Sequence, residues 1–106
     1  MDSTFSRSEN GKEMTVKVAG ELNTITTPAL RQSWLAAPAD GVERLIVDFA
    51  DVDYISSAGL RLVIEMHKTM LTKGELIVRN PNSEVMDAFD MTGFSRFLKI
   101  ERPTGG

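Results

Sequence analysis

The sequence predicts a single α/β domain in which a mixed β-sheet packs against helices. The chain has 106 residues and 42% hydrophobic residues, which suits one compact domain with a modest core. A hairpin signal near the N-terminus is followed by alternating helix and strand patterns, and no linker divides them. Such an order predicts antiparallel pairing in the hairpin and parallel pairing where helices cross over. We expect one domain over 1–106, with an ordered core at about 3–101.

The first hairpin is predicted from Asn10-Gly11. Both residues tolerate the positive φ that the central positions of a type I′ turn need. Residues near Phe5 are expected to pair with 14–18, where apolar and polar side chains alternate. This alternation indicates one buried and one solvated face, and Gly20 is expected to end the strand.

The first helix is predicted from its start and stop signals. Thr26 and Thr27 are good N-caps, and Pro28 suits the first helical position. Pro38 is expected to stop the helix. The predicted apolar face consists of Leu30, Trp34 and Ala37.

A serine pair marks the junction between the next strand and helix. The strand is predicted over about 42–49, and the helix runs from near Ser57 to about Leu71. Ser56 or Ser57 must cap this helix, because its first N–H groups are otherwise unpaired. The same N–H groups and the helix dipole would also suit a phosphate. The predicted apolar stripe consists of Leu60, Val63, Ile64, His67 and Leu71.

The remaining elements follow from local signals. A strand is predicted over 75–79, and Asn80-Pro81-Asn82 offers a cap for a short helix that Gly93 ends. A last strand is expected at about 97–101, and the tail 102–106 is expected to fray. The short helix directs Val85 and Phe89 inward.

The composition of the chain argues against several classes of function. The formal net charge is −3 with scattered basic residues, so nothing indicates binding to nucleic acid or an anionic membrane. Without cysteine and with one histidine, disulfides are excluded and we expect no metal site. Apolar runs are too short to span a membrane and no signal-peptide pattern occurs. We expect a cytoplasmic protein whose partner is another protein or a small ligand.

Catalysis by the chain itself is not predicted. Ser57 lies at a strand-to-helix turn, but Ile55 occupies a position where a nucleophile elbow needs glycine. His67 follows on the same helix, roughly 15 Å along its axis, so it cannot act as a base for Ser57. Asp48, Asp51 and Asp53 are predicted to be largely solvated on or near a polar loop. No phosphate-binding glycine motif is present, so we expect no catalytic residue and no cofactor.

Three ordered segments of the chain resemble STAS domains and, within that group, the bacterial anti-sigma factor antagonists. The second of the three, which contains the serine pair, matches the family pattern most specifically. Together the three segments cover nearly the whole domain. They are Val18-Ala19-Gly20-Glu21-Leu22-Asn23, Ile46-Val47-Asp48-Phe49 through Tyr54-Ile55-Ser56-Ser57-Ala58-Gly59-Leu60, and Phe89-Asp90-Met91-Thr92-Gly93-Phe94.

The resemblance implies a switch at Ser57. In that group, the unphosphorylated antagonist binds an anti-sigma factor that is also a serine kinase and so frees the sigma factor. Phosphorylation ends the binding, and a serine phosphatase restores it; ATP and Mg²⁺ are held by the kinase. Laid on this chain, the phosphoacceptor is Ser57. The implied partner-binding residues are Asn23, Thr24, Ser56, Ala58, Gly59, Leu60, Met91, Thr92 and Gly93.

The chain departs from the family pattern at three places. Asn23 stands where antagonists commonly have aspartate, and Ser56 replaces the aspartate common before the phosphoserine. A final family helix is expected to be absent or much reduced. Alternatives are a STAS scaffold subunit of a lipid-transport or signalling complex that is never phosphorylated, and a small nucleotide-binding or hydrolytic enzyme. We expect a monomer, because no long apolar surface stripe remains after the core is assigned.

Overall fold

The predicted fold class is confirmed by a computed structural model, which describes residues 2–37 and 40–101. Within these residues, β1 and β2 form an antiparallel hairpin, and β2 to β5 pair in parallel in the order β1-β2-β3-β4-β5. The elements are β1 (Asp2–Arg7), β2 (Glu13–Leu22), α1 (Thr27–Ala36), β3 (Arg44–Ile55), α2 (Ser57–Met70), β4 (Glu75–Arg79), α3 (Ser83–Thr92), a 3-10 turn (Phe94–Arg96) and β5 (Lys99–Glu101).

The described helices form one layer on one face of the sheet. Alternate residues of neighbouring strands, including Val16, Val47 and Val78, belong to a single buried cluster, as the two-residue period of a strand requires. Ile46 and Ile77 are also buried but lie outside that cluster, on the opposite face. Helix residues in the cluster include Leu30 and Trp34 of α1, Leu62, Val63 and Met66 of α2, and Val85 and Phe89 of α3.

The opposite face of the sheet carries ion pairs between neighbouring strands. Arg44 of β3 lies 3.4 Å from Glu13 and 3.2 Å from Glu75. Lys99 of β5 lies 2.8 Å from Glu75 on β4, and these contacts lower the pKa of Glu75, with the Lys99 hydrogen bond as the main cause. Ion pairs between exposed charges add little to stability, so these contacts contribute little to holding the sheet together.

The first hairpin has the predicted pairing but a different turn. Phe5 pairs with Val16 as expected. Only Gly11 in the turn has positive φ, at 73°, whereas a type I′ turn needs positive φ at both central residues. The loop instead closes through Gly11 N, which donates to Ser8 O at 2.9 Å, while Asn10 Oδ1 accepts from Lys12 N at 3.0 Å. The predicted type I′ turn is therefore wrong.

Two strands are longer than predicted. β2 continues through Gly20, whose φ of 94° lies at a register shift in the pairing with β3, so Gly20 bends the strand without ending it. β3 runs to Ile55, which places Asp51 and Asp53 on a strand and not on the predicted loop. Pairing with β4 ends at Asp48, while pairing with β2 continues to Ile55. Because β3 extends past the last residue that pairs with β4, the start of α2 lies beyond the end of β4.

The first helix departs from the prediction at its start. Thr26 occupies the N-cap position without a side-chain capping bond, and Thr27 is the first helical residue. Pro28 is consequently second and not first. The helix ends at Ala36, and Pro38 lies outside the described residues.

The second helix has the predicted bounds but a different buried face. Leu71 is 64% exposed, and Ile64 and His67 are only half-buried. The inclusion of Leu71 in the apolar stripe is therefore wrong, because Leu71 stands at the C-cap where the chain turns away. The buried residues of α2 are Gly59, Leu60, Leu62, Val63, Met66 and Met70.

The C-terminal half follows local signals closely. β4 has the predicted bounds, and α3 is capped by Asn82 and ended by Gly93 at φ 79°. β5 begins at Lys99, later than predicted, because Phe97 and Leu98 belong to the turn and bend that follow the 3-10 turn. The predicted frayed tail, 102–106, lies outside the described residues.

Candidate functional site

The serine pair lies where β3 passes into α2. Ser56 N donates to Leu22 O at 2.7 Å, which ties this junction to the end of β2. Ser56 has extended backbone and its Oγ accepts from Gly59 N at 3.4 Å. Ser56 is thus the N-cap. Ser57 is the first helical residue, and it is exposed.

Gly59 allows the chain to pack against itself. A Cβ atom at this position would lie 2.7 Å from Ile55 Cγ1 and 3.0 Å from Leu22 Cβ. Gly59 is buried, and so is Leu60, at 9% exposure. Both residues therefore pack inside the domain, and neither offers a side chain to a partner.

The loop before α1 lies beside the serine pair. Asn23 Oδ1 accepts from Ile25 N and from Thr26 N, both at 2.9 Å. Thr26 Oγ1 donates to Glu21 O at 2.6 Å and accepts from Asn23 N at 3.0 Å, so both side chains hold the loop before α1, and neither caps the helix. Thr24 is exposed, and Ile25 is 83% exposed.

Sequence reasoning missed Ile25. Its signal was an apolar residue between threonines that does not share the helical face of Leu30 and Trp34. Ile25 and the starts of α1 and α2 belong to the same edge of the sheet, because Leu22 O accepts from Ser56 N. Ile25 therefore places one exposed apolar side chain at the edge where the serine pair lies, and a lone side chain of this kind is common on protein surfaces.

The segment Met91-Thr92-Gly93 lies at the other end of the helical layer. α3 starts where Asn82 Nδ2 donates to Val52 O at 3.0 Å, and further along it stacks Phe89 on Phe49 at 6.5 Å. Its end leads to Phe97, whose ring lies 5.3 Å from that of His67, near the end of α2.

This placement separates the implied partner-binding residues into two sets. Ser57 begins α2, and His67 lies roughly 15 Å further along its axis. Met91 is 87% exposed and Thr92 Oγ1 donates to Ala88 O at 2.8 Å. The structure therefore places 91–93 near the far end of α2, away from 56–58.

A groove of about 200 Å³ runs between the first half of α1 and the part of α2 from Ala58 to Glu65. Arg31 holds Glu65 across it, with Nε to Oε2 and Nη2 to Oε1 both 2.8 Å. These hydrogen bonds raise the pKa of Arg31 and lower the pKa of Glu65 from 4.5. The groove is lined by Thr27, Arg31, Ala58, Arg61, Leu62 and Glu65.

The three aspartates considered for metal binding are spread along β3. Asp48 is half-buried, and its Oδ1 accepts from Ala50 N at 3.0 Å. Asp51 and Asp53 are exposed. Across residues 2–37 and 40–101, no three His, Cys, Asp or Glu side chains are grouped to hold a metal ion. In the same residues, no helix combines the length and apolar character needed to cross a bilayer.

These features define a small two-layer α/β domain with an exposed serine at a helix start. The STAS domain model matches residues 5–104, and the chain therefore belongs to the STAS domain family. A relative from Bordetella bronchiseptica, BtrV, is named as a candidate anti-sigma factor antagonist. It is 33% identical over 82 residues, covering 76% of this chain and 71% of its own.

Solved structures show the same fold. An anti-sigma factor antagonist from Mycobacterium paratuberculosis is 20% identical with a TM-score of 0.85, covering 97% of this chain and 86% of its own. The Bacillus cell fate determinant SpoIIAA, solved in its phosphorylated form, is 19% identical with a TM-score of 0.70, covering 93% of this chain and 90% of its own.

Proposed function

We propose that this protein is an anti-sigma factor antagonist that works by partner switching. In its unphosphorylated form it binds an anti-sigma factor that is also a serine kinase, and sigma factor is thereby freed. Phosphorylation of Ser57 blocks the binding, and a serine phosphatase reverses it. The protein acts as a cytoplasmic monomer and as the substrate of these enzymes.

The observation that carries the proposal is the difference between the two serines. Ser56 is half-buried and caps α2 with its Oγ, whereas Ser57 is exposed at the first helical position. A kinase can reach Ser57 without opening the helix. The helix dipole favours a negative group there by about 0.3–2 kcal/mol, so a phosphate is compatible with the fold.

The effect of the phosphate then falls on the surface around it. Phosphorylation adds a charge of about −1.5 to −2, close to half-buried Ala58. Across the junction lie Thr24 and Ile25, both exposed. An interface that covers Ile25 would have to desolvate the phosphate dianion as well, and removing a charge from water is costly. Binding would be lost while the domain stays folded.

The two implied sets of partner-binding residues have different parts in this proposal. Asn23, Thr24, Ser56 and Ala58 belong to the surface that the phosphate disrupts. Asn23 and Ser56 carry no charge where family members commonly have aspartate, and their side-chain oxygens accept hydrogen bonds within the chain. Met91, Thr92 and Gly93 would form a second, separate contact.

Named relatives support the proposal. BtrV, the candidate antagonist of Bordetella bronchiseptica, matches this chain over most of its length. SpoIIAA shares the fold and exists in a phosphorylated form. Both facts concern those proteins, and they make a phosphorylated antagonist the favoured function for this one.

Phosphorylation by a kinase preparation from the host cell tests the proposal. With ATP, intact-mass measurement should show one added phosphate on the wild type and on Ser56→Ala, and none on Ser57→Ala. Ser56→Ala is the matched control because it removes the neighbouring hydroxyl. A phosphate that persists on Ser57→Ala would refute the assignment, and a stable partner whose binding ignores ATP would favour a scaffold subunit.

A further inference from the structure

Arg61 lies one helical turn after Ser57, on the exposed side of α2. Side chains at positions i and i+4 of a helix are neighbours, with Cβ atoms about 5–6 Å apart. Within residues 2–37 and 40–101, the Arg61 side chain takes part in no hydrogen bond or ion pair. A guanidinium without a partner therefore stands beside the proposed phosphorylation site.

The acidic group nearest along the helix is already engaged. Glu65 lies one turn beyond Arg61, but both of its carboxylate oxygens accept hydrogen bonds from Arg31 of α1. This bidentate pair is the stronger kind of charged contact. Arg61 is thus left as the uncommitted cation of the groove between α1 and α2, where Arg31 and Glu65 are the other charged groups.

The groove also contains a hydroxyl that lacks a partner. Thr27, the first residue of α1, is 6% exposed and lines the groove together with Ala58 and Arg61. Its Oγ1 is the one buried side-chain polar atom of the described residues that makes no hydrogen bond. Unsatisfied buried hydroxyls are costly, and their donors can be satisfied by an anion.

We propose that Arg61 and the Thr27 hydroxyl bind the phosphate carried by Ser57, as a phosphomonoester site at the adjoining starts of α1 and α2. The inference rests on the proposed function, since it concerns the same serine. Transfer from ATP forms the bond between Ser57 Oγ and phosphorus, breaks the bond to the ADP oxygen, and releases the hydroxyl proton to a base of the kinase. Phosphorylation then adds an anion to the surface and also pairs Arg61, which is an unpaired cation among the described residues of the unphosphorylated protein.

The test uses the full chain with phosphoserine genetically encoded at position 57, so no kinase is needed. Phosphorus NMR against pH measures the second pKa of the phosphate in three proteins: the parent, Arg61→Gln and Arg96→Gln. Arg96 is the matched control, an exposed arginine in the 3-10 turn. We expect a lower phosphate pKa in the parent and in Arg96→Gln than in Arg61→Gln, because the guanidinium stabilises the dianion.

A second variant tests the Thr27 hydroxyl. Thr27→Val keeps the side-chain shape and removes the donor, so it should raise the Tm of the unphosphorylated protein and reduce the gain in Tm that phosphoserine brings. Equal phosphate pKa values in the parent and Arg61→Gln, or an equal gain in Tm with and without the Thr27 hydroxyl, would overturn the proposed site. Either result would leave kinase labelling of Ser57 untouched, so the two proposals fail separately.

Discussion

Gly59→Ala tests how the start of α2 is positioned. In an open helical position this change stabilises a protein, because glycine is about 1 kcal/mol worse than alanine in a helix. Here the added Cβ would lie 2.7 Å from Ile55 Cγ1 and 3.2 Å from Leu22 O. Ile55 and Leu22 are both buried, at 6% and 1% exposure. The neighbours of Gly59 therefore have little room to move.

The expected magnitude follows from these two opposing effects. Overpacking a filled core costs about 1–3 kcal/mol. Leu22 O also accepts from Ser56 N at 2.7 Å, so moving it strains a buried backbone hydrogen bond and places the cost near the upper end. After the helical gain is subtracted, we expect a net loss of about 1–2 kcal/mol. In a domain of about this size, each kcal/mol of lost stability lowers Tm by roughly 4–8 °C.

Urea unfolding followed by circular dichroism measures this loss. Lys68→Ala is the control, because Lys68 is exposed on the same helix and surface changes usually stay within about 0.5 kcal/mol. If Gly59→Ala were more stable than the wild type, the close approach of α2 to β2 would be refuted as the reason for glycine there.

Two further predictions concern stability. Asn82→Ala removes the cap on Val85 N and the bond to Val52 O, so calorimetry should show a loss of about 1–3 kcal/mol, with Asn82→Asp intermediate; an unchanged Tm would contradict this. Glu65→Gln removes a carboxylate whose pKa Arg31 lowers from 4.5, so the wild type should be more stable near neutral pH by about 0.2–1 kcal/mol. This advantage should fade as the pH falls below 4.5, because protonation abolishes it, and an advantage that grows on acidification would refute the ion pair.

Local signals in the sequence predicted some elements well. The bounds of β4, the Asn82 cap and the Gly93 stop of α3 all agree with the structure. The Asn82 cap and the Gly93 stop each depend on residues within one turn of one another. Caps and left-handed glycines act through backbone bonds to near neighbours, so adjacent residues suffice to indicate them.

Features set by distant pairing were missed. β3 continues through Asp51 and Asp53 because β2 pairs with it as far as Ile55, and polar residues on an exposed strand leave no local trace of that partner. Gly20 was interpreted as a strand end, although it accommodates a register shift within β2. Strand pairing is a long-range contact, which composition alone does not indicate.

In the candidate site, too, local features could be predicted from sequence, and features set by distant contacts could not. The serine pair could be found from sequence, and the resemblance assigned the phosphate to Ser57, but the choice of Ser56 as the cap depends on the bond from Gly59 N to Ser56 Oγ. Gly59 needs to be glycine because Leu22 packs against it, a contact between segments far apart in the chain. The separation of 91–93 from the serine pair likewise depends on the direction in which α3 crosses the sheet.

In the proposed switch, the phosphorylation state of Ser57 decides partner binding. The most direct measurement compares the unmodified protein, Ser57→Ala and the protein with encoded phosphoserine at position 57 as baits in lysate of the native organism. We expect an ATPase-type serine kinase to be retained by the first two and lost from the third. Equal retention of that kinase by all three baits would refute a switch at Ser57.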